Sequence, residues 1–363
     1  MIYLNNAATS YPKPPSVLTA VAEAMQAMPA SALRSSLSAG DDMSGHLRQE
    51  LAALFHVSHP ERIFFTSGAT DALNRLIGGL PIRQAIITTD NHNSVLRPAE
   101  NLPGERVITY EDSPLRPDLP KSPASWLILP HCSNVTGEIH DIGAICASAH
   151  RLGMRVLLDA SQSAGCIPID GDNWELDAIA FTGHKALFGP QGTGGFYIRP
   201  GITLRPTLFG GTGRDSRIIR YDDGDWEYEV GTPNTPGLAG LLAGVAYVRQ
   251  EGVEKIFCQL QAHTDWLIHE LAAIPHVRLY SPGGPAQGPV VSFNIEGLHA
   301  ADVGYILQNA YGITTRTGLH CAPLIHRQLH TEPWGTVRAS LSYLTPPTHL
   351  QALVSAVREI AKK

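Results

Sequence analysis

The sequence predicts an α/β protein: one covered parallel or mixed sheet, followed by a smaller α+β unit. Three observations lead there. From about residue 45 to 200, short apolar runs alternate with helical segments. Each run ends in a cluster of polar residues. Beyond about residue 245 the pattern changes to helical stretches around the run VVSFNI. A chain of 363 residues can bury a large core and usually forms two domains or one elaborated domain.

Taken in order, HLRQELAALFHV (46–57) has helical apolar spacing, and ERIFFTSGAT passes from a strand into a glycine-containing turn. ALNRLIGGL reads as a helix and QAIITTD as a strand. SWLILPHCS (125–133) is a strand, and DIGAICASAHRLG (141–153) is a helix ended by glycine. RVLLDASQ (155–162) and LDAIAFTGHK (176–185) are strands, the second leading into a loop. Continuous apolar strands separated by helices form sheets covered on both faces. Ligands bind such sheets at the carboxyl ends of the strands. Five polar clusters fall there: Thr66–Thr70, Asn91–Ser94, His131–Thr136, Asp159–Gln162 and Thr182–Lys185. They predict one shared pocket. After 245, the stretch YVRQEGVEKIFCQLQAHTDWLIHELAAI, a helix near ADVGYILQNAYG and a C-terminal helix complete the smaller unit.

Composition excludes several classes. A net charge of −6 argues against a nucleic-acid or membrane-surface binder, which needs a basic face. No apolar run is long enough to span a bilayer, and MIYLNNAATS lacks the basic start and apolar core of a signal peptide. A cytoplasmic protein is expected. The cysteines Cys132, Cys146, Cys166, Cys258 and Cys321 are scattered, with no CxxC pair, so neither a disulfide framework nor a metal site is expected.

The candidate chemistry starts in FTGHKALFGPQGTGGFYI, where Lys185 follows a strand in a glycine-rich loop. A partly desolvated lysine has a depressed pKa and forms a Schiff base with an aldehyde; a phosphate loop or a surface lysine would look similar. The order GxxxxGK[ST] of a nucleotide loop is missing. Asp159, at a strand end in LLDASQSAG, could hold a metal, cap a helix or face a protonated heterocycle. A Schiff-base lysine and an acid at a pyridinium nitrogen are what pyridoxal phosphate needs. TSGATDAL sets Gly68, Ala69 and Thr70 at a helix start, a place for a phosphate or merely a capped helix. His92 could stack on a flat ring, though a lone strand-end histidine is often only polar. Arg316 and Arg338 flank Cys321 and could fork a carboxylate; each alone could equally be a surface ion pair.

In order, YLNNAATSYPKP, TSGATDALN, NHNSVLRP, HCSNVTGEI, DASQSAG, FTGHKALFGPQGTG, EVGTPNTPG, RTGLHCAP and VRASLSYLT resemble the class V, fold-type I pyridoxal-phosphate enzymes. Within them they resemble the cysteine desulfurase/selenocysteine lyase family. The short RTGLHCAP form is similar to the SufS-like subgroup, which lacks the longer cysteine loop of NifS/IscS-like members. The resemblance implies a large mixed-sheet cofactor domain over 15–245 and a small α+β domain of 1–14 plus 246–363. It makes Lys185 the cofactor-bearing lysine, Asp159 the partner of the pyridinium nitrogen, Gln162 the partner of the ring hydroxyl and His92 the stacking group. Ala69, Thr70, Thr182 and His184 would hold the phosphate, with Gly231 and Thr232 reaching it from the other subunit of a homodimer. Asn134 and Arg338 would bind the substrate carboxylate, with Arg316 nearby. Cys321 would accept sulfur as a thiolate, favoured by His320 and Arg316.

The implied reaction is removal of sulfur from L-cysteine, or selenium from L-selenocysteine, to give L-alanine, with a persulfide passed to a sulfur-acceptor protein. Another carbon–sulfur or carbon–selenium lyase, an aminotransferase-like enzyme and a non-catalytic sulfur carrier are the alternatives. The cysteine at 321, and the presence of Lys185 and Asp159, argue against them. A dinucleotide dehydrogenase lacks its strand–GxGxxG–helix. Two positions depart from the family pattern. Asn5 stands where YLDNAAT has an acid. In ALRSSLSAG, Ser35 and Leu37 replace the glycine and histidine of an RGxH-type sequence.

Overall fold

The computed structural model describes residues 1–27, 43–103, 107–112, 125–211, 217, 219–220 and 227–362. Ser35 and Leu37 lie outside them. The chain opens with β1 (Ile2–Tyr3), α1 (Pro15–Gln26) and α2 (Met43–Phe55). Then follow β2 (Ile63–Thr66), α3 (Ala69–Gly79), β3 (Gln84–Thr88), α4 (Asn93–Asn101), β4 (Val107–Glu111) and β5 (Ser125–Pro130). Next come α5 (Ile142–Arg151), β6 (Arg155–Asp159), β7 (Ala178–Thr182) and β8 (Gly194–Ile198).

Strands β2 to β8 form one seven-stranded sheet in the order β2-β8-β7-β6-β5-β3-β4. The run from β7 to β4 is parallel, whereas β8 is antiparallel to both β7 and β2. The sheet is therefore mixed. The parallel strands carry apolar residues at successive positions because both faces are covered: β5 is buried throughout and β6 from its second residue onward. Leu127, Leu129, Val156, Leu158, Ile179 and Phe181 enter one core, while Trp126, Ile128, Leu157, Ala178 and Ala180 enter the other. That alternation is the two-residue period of a strand.

Helix α6 (Thr235–Glu251) packs on α1 and α2, and the expected domain junction at 245/246 falls inside it. Gly252, at φ +86°, breaks the helical stretch that follows, so the sequence run reads out as α6 and α7 (Val253–Ala272). A second sheet follows from β9 (Val277–Leu279), β10 (Val290–Ile295), β12 (Arg316–Gly318) and β13 (Thr336–Ser340), in the order β12-β13-β10-β9 and antiparallel throughout. Helices α8 (Ala300–Tyr311), α9 (Pro323–Gln328) and α10 (Pro347–Ile360) accompany it. Strand β1 pairs in parallel with β11 (Ile313–Thr314), which fastens the N-terminal arm to this C-terminal unit. Among the described residues no helix is long and apolar enough to cross a membrane.

Candidate active site

The carboxyl ends of β3, β5, β6 and β7 open into one cavity of about 380 Å³. Its lining includes Ala69, Thr70, His92, Asn134, Asp159, Gln162, Thr182, His184, Lys185, Arg316 and Arg338. Eleven of the sequence-predicted site residues therefore line one cavity: those following the strands of the large sheet arrive there by strand-end placement, whereas Arg316 and Arg338 come from β12 and β13.

Lys185 follows β7, and burial pulls its amine down to about 8, against the attraction of Asp159. Asp159 ends β6. Burial pushes its carboxyl up, although the Ser161 N–H donates to Oδ1 at 2.9 Å and Lys185 acts in the opposite sense. At the third corner is the start of α3. No side chain caps this helix, and Gly68 enters it at φ +147°, which leaves first-turn N–H groups for an external anion. Thr182 and His184 stand beside it, and His184 Nδ1 is buried with no hydrogen-bond partner. Burial, followed by the charge of Lys185, takes His184 down to about 4.

His92 caps α4. Its Nδ1 accepts from the Ser94 N–H at 3.0 Å, so the proton of the neutral ring sits on Nε2. Burial first, then Lys185 and Arg316, hold it at about 4. The imidazole is thus neutral, held by its cap and part of the cavity wall.

The N-terminal arm closes this region. The His184 carbonyl accepts from Ser10 N at 3.0 Å and from Lys13 Nζ at 3.2 Å, fixing the peptide that precedes Lys185. Gln162 Nε2 donates to the Ala7 carbonyl at 3.1 Å. Residue patterns did not reveal these contacts, because they join the arm to residues more than 150 positions away.

Arg316 and Arg338 lie directly opposite each other on β12 and β13. Arg338 is 1% exposed; Nη1 donates to the Asn134 carbonyl at 2.9 Å and Nη2 to Asn5 Oδ1 at 3.2 Å. Burial, then Arg316, brings its guanidinium down to about 9, still charged at neutral pH. Arg316 Nη2 donates to Cys321 Sγ at 3.1 Å. Cys321 is not itself part of the cavity lining; it stands at the edge, behind Arg316.

The loop that carries the thiol is tightly constrained. His320 and Cys321 have φ of +49° and +61°, a left-handed conformation that side chains rarely adopt. Two bonds from the larger sheet's connections hold it: the Asn93 N–H donates to the Cys321 carbonyl at 2.6 Å and Asn134 Nδ2 to the His320 carbonyl at 2.8 Å. The expectation that His320 favours the thiolate is overturned. Its ring turns inward, with Nε2 3.0 Å from Thr336 Oγ1, and burial holds its pKa well below 6.5. A neutral, buried imidazole supplies no positive charge to the sulfur; among the described residues Arg316 hydrogen-bonds it, with Lys185 and Arg338 close enough to act on it through charge.

Gly231 and Thr232 do not line the cavity. They edge a neighbouring hollow of about 470 Å³ that shares Ser67, Asp71 and Gly192 with it.

A half-buried lysine, a buried acid, an open helix N-terminus and a neutral histidine around one cavity suit a flat, phosphorylated aldehyde cofactor. The residues fit pyridoxal phosphate: the orphaned His184 Nδ1 and the uncapped α3 wait at the anion end. The chain belongs to the class-V aminotransferase family, which matches residues 2–353. It is 31% identical to a cysteine desulfurase of Klebsiella pneumoniae, over 100% of this chain and 94% of that relative. The apo structure of cysteine desulfurase from Thermococcus onnurineus superposes with a TM-score of 0.85 at 27% identity, covering 99% of this chain and 94% of that one. The cystine C–S lyase C-DES, solved with its reaction product cysteine persulfide, gives 0.79 at 25% identity, over 98% and 97% of the two chains.

Proposed function

We propose that this chain is a pyridoxal-phosphate-dependent cysteine desulfurase that converts L-cysteine to L-alanine and carries the sulfur on Cys321. The observation that carries the reading is the Arg316 guanidinium on Cys321 Sγ at 3.1 Å, at the edge of the cavity holding Lys185 and Asp159. A C–S lyase of the same fold needs the lysine and the acid but no thiol so placed.

When bound, pyridoxal phosphate supplies an aldehyde for an amine and a ring that withdraws electrons from the substrate's α-carbon. The chain's residues do the rest. Ala69, Thr70, Thr182 and His184 hold the phosphate, Asp159 faces the ring nitrogen, and Gln162 and His92 fix the ring's edge and face. Arg338 and Asn134 receive the substrate carboxylate. Lys185, with its amine near 8, accepts and returns protons close to neutral pH. The Cys321 thiolate attacks the substrate sulfur. An S–S bond forms, the Cβ–S bond breaks with its electron pair left on carbon, and a proton from Lys185 completes alanine.

Gly231 and Thr232 are read as reaching the phosphate bound in a second subunit, since they are exposed beside the cavity rather than in it. A homodimer follows from that reading, as does a sulfur-acceptor protein from a persulfide at the edge. All five cysteines are free, which suits a reducing cytoplasm.

The test measures alanine and sulfide from L-cysteine in wild type, Lys185→Ala and Cys321→Ala, with L-selenocysteine alongside. Expected are a lysine variant without the cofactor's lysine-bound absorbance and a Cys321→Ala variant that loses cysteine turnover while keeping selenocysteine turnover. Equal cysteine turnover with and without the thiol would replace this reading by direct elimination.

A further inference from the structure

Two arginines opposite each other on adjacent antiparallel strands repel unless an anion lies between them. Arg316 and Arg338 have that register, and both line the cavity. Among the described residues no carboxylate pairs with Arg338; its two hydrogen bonds go to the Asn134 carbonyl and the Asn5 amide oxygen, both neutral, and Nε has no partner. Asn5 is itself pinned, bridged to Ser340 in parallel and flanked by the Tyr3 hydroxyl on its carbonyl at 3.1 Å. An aspartate at this position would be almost the same size and would hold the guanidinium in the same place. It would also cancel its charge.

We propose that Asn5 is a positioning residue that orients Arg338 without neutralising it, so that the Arg316–Arg338 pair selects reactants carrying a carboxylate and directs them to Cys321. Only the identity of that carboxylate, the α-carboxylate of cysteine, rests on the desulfurase reading; the charge selection does not.

Cysteine alkylation tests it on the holoenzyme. Iodoacetate carries a carboxylate and iodoacetamide does not, and mass spectrometry reads the modification of each thiol separately. In wild type the iodoacetate-to-iodoacetamide rate ratio at Cys321 should exceed that at the exposed Cys258, an internal reference on α7. Asn5→Asp should lower the Cys321 ratio on the order of tenfold, the low end for a unit charge at ion-pair distance in a partly desolvated site. Asn5→Ala, which removes the contact and adds no charge, should lower the ratio by less than Asn5→Asp does, because Arg338 loses its orientation but keeps its charge. With L-cysteine, Asn5→Asp should raise KM by more than it lowers kcat. Equal ratios at Cys321 and Cys258 in wild type, or equal losses in the Asp and Ala variants, would overturn the proposal. Wild type that makes no alanine from cysteine would instead remove the desulfurase reading and leave the alkylation ratios to decide.

Discussion

Gly335→Ala tests whether the thiol's position depends on the packing of β12 against β13. Gly335 sits at φ +72°, and a Cβ there would lie 2.1 Å from both the carbonyl carbon and oxygen of Gly318. Ordinary contact begins near 3.4 Å, so the end of β12 must retreat by about 1 Å or more. The neighbour is backbone, which cannot rotate aside. Gly318 closes the strand carrying Arg316 and is three residues before Cys321. A misplacement of about 1 Å at a reacting group costs roughly a hundredfold in rate. The left-handed conformation itself adds about 1 kcal/mol of instability for alanine. Gly153→Ala is the control: φ is +73°, with nothing within 4 Å of the added carbon. Single-turnover alanine formation, with thermal melts and the cofactor spectrum, should show both variants folded and loaded. Gly335→Ala should be slower by about two orders of magnitude and the control close to wild type. Similar rates for the two variants would refute the claim that this contact sets the thiol.

Two further outcomes are expected. In Thr336→Val the hydroxyl that links His320 Nε2 at 3.0 Å to Ser292 Oγ at 3.3 Å is lost from a buried network. The cost should be about 1–3 kcal/mol by urea denaturation, and a change below a few tenths would mean the network is not satisfied as described. Acid should destabilise the apoprotein early, because burial holds His92 at about 4, His131 at about 3 and His184 at about 4 in the fold, against 6.5 when unfolded. With folded pKa values below unfolded ones, the unfolded chain binds protons first, so stability drops as pH falls from about 6.5 toward 4. At about 1.4 kcal/mol per pKa unit, the upper bound is roughly 3.5 kcal/mol for His92 and His184 and roughly 5 kcal/mol for His131. Asp159, raised in the fold, opposes this slightly on acidification. A urea midpoint that is flat between pH 7 and 5 would contradict these burials.

The parts of the site written in local pattern were legible. Lys185, Asp159, His92 and Thr182 each end or follow an apolar strand, and parallel packing brings strand ends together whatever the intervening helices are. What local pattern could not carry was any relation set by distant pairing. Asn5 meets Arg338 across 333 residues, and nothing near Asn5 announces a guanidinium. The direction of His320 was misread for a related reason. Sequence puts a histidine beside a cysteine, but two successive left-handed residues turn one side chain into the core and the other to the pocket edge. The antiparallel direction of β8 was equally hidden, since an apolar strand reads the same in either sense.

That left-handed pair also explains why the loop needs so many anchors. Each non-glycine residue in this conformation costs about 1–2 kcal/mol, and the strain persists only where surrounding bonds over-determine it. Here the bonds come from both sides of the cavity: Asn93 and Asn134 hold the carbonyls of Cys321 and His320, while Thr336 holds the His320 ring. Asn134 does this with its side chain while its own carbonyl accepts from Arg338. One residue therefore ties the thiol's loop to the guanidinium opposite Arg316. On the proposed reading, a substrate held at its carboxylate by Arg338 would meet a thiol whose distance from that arginine is fixed through Asn134.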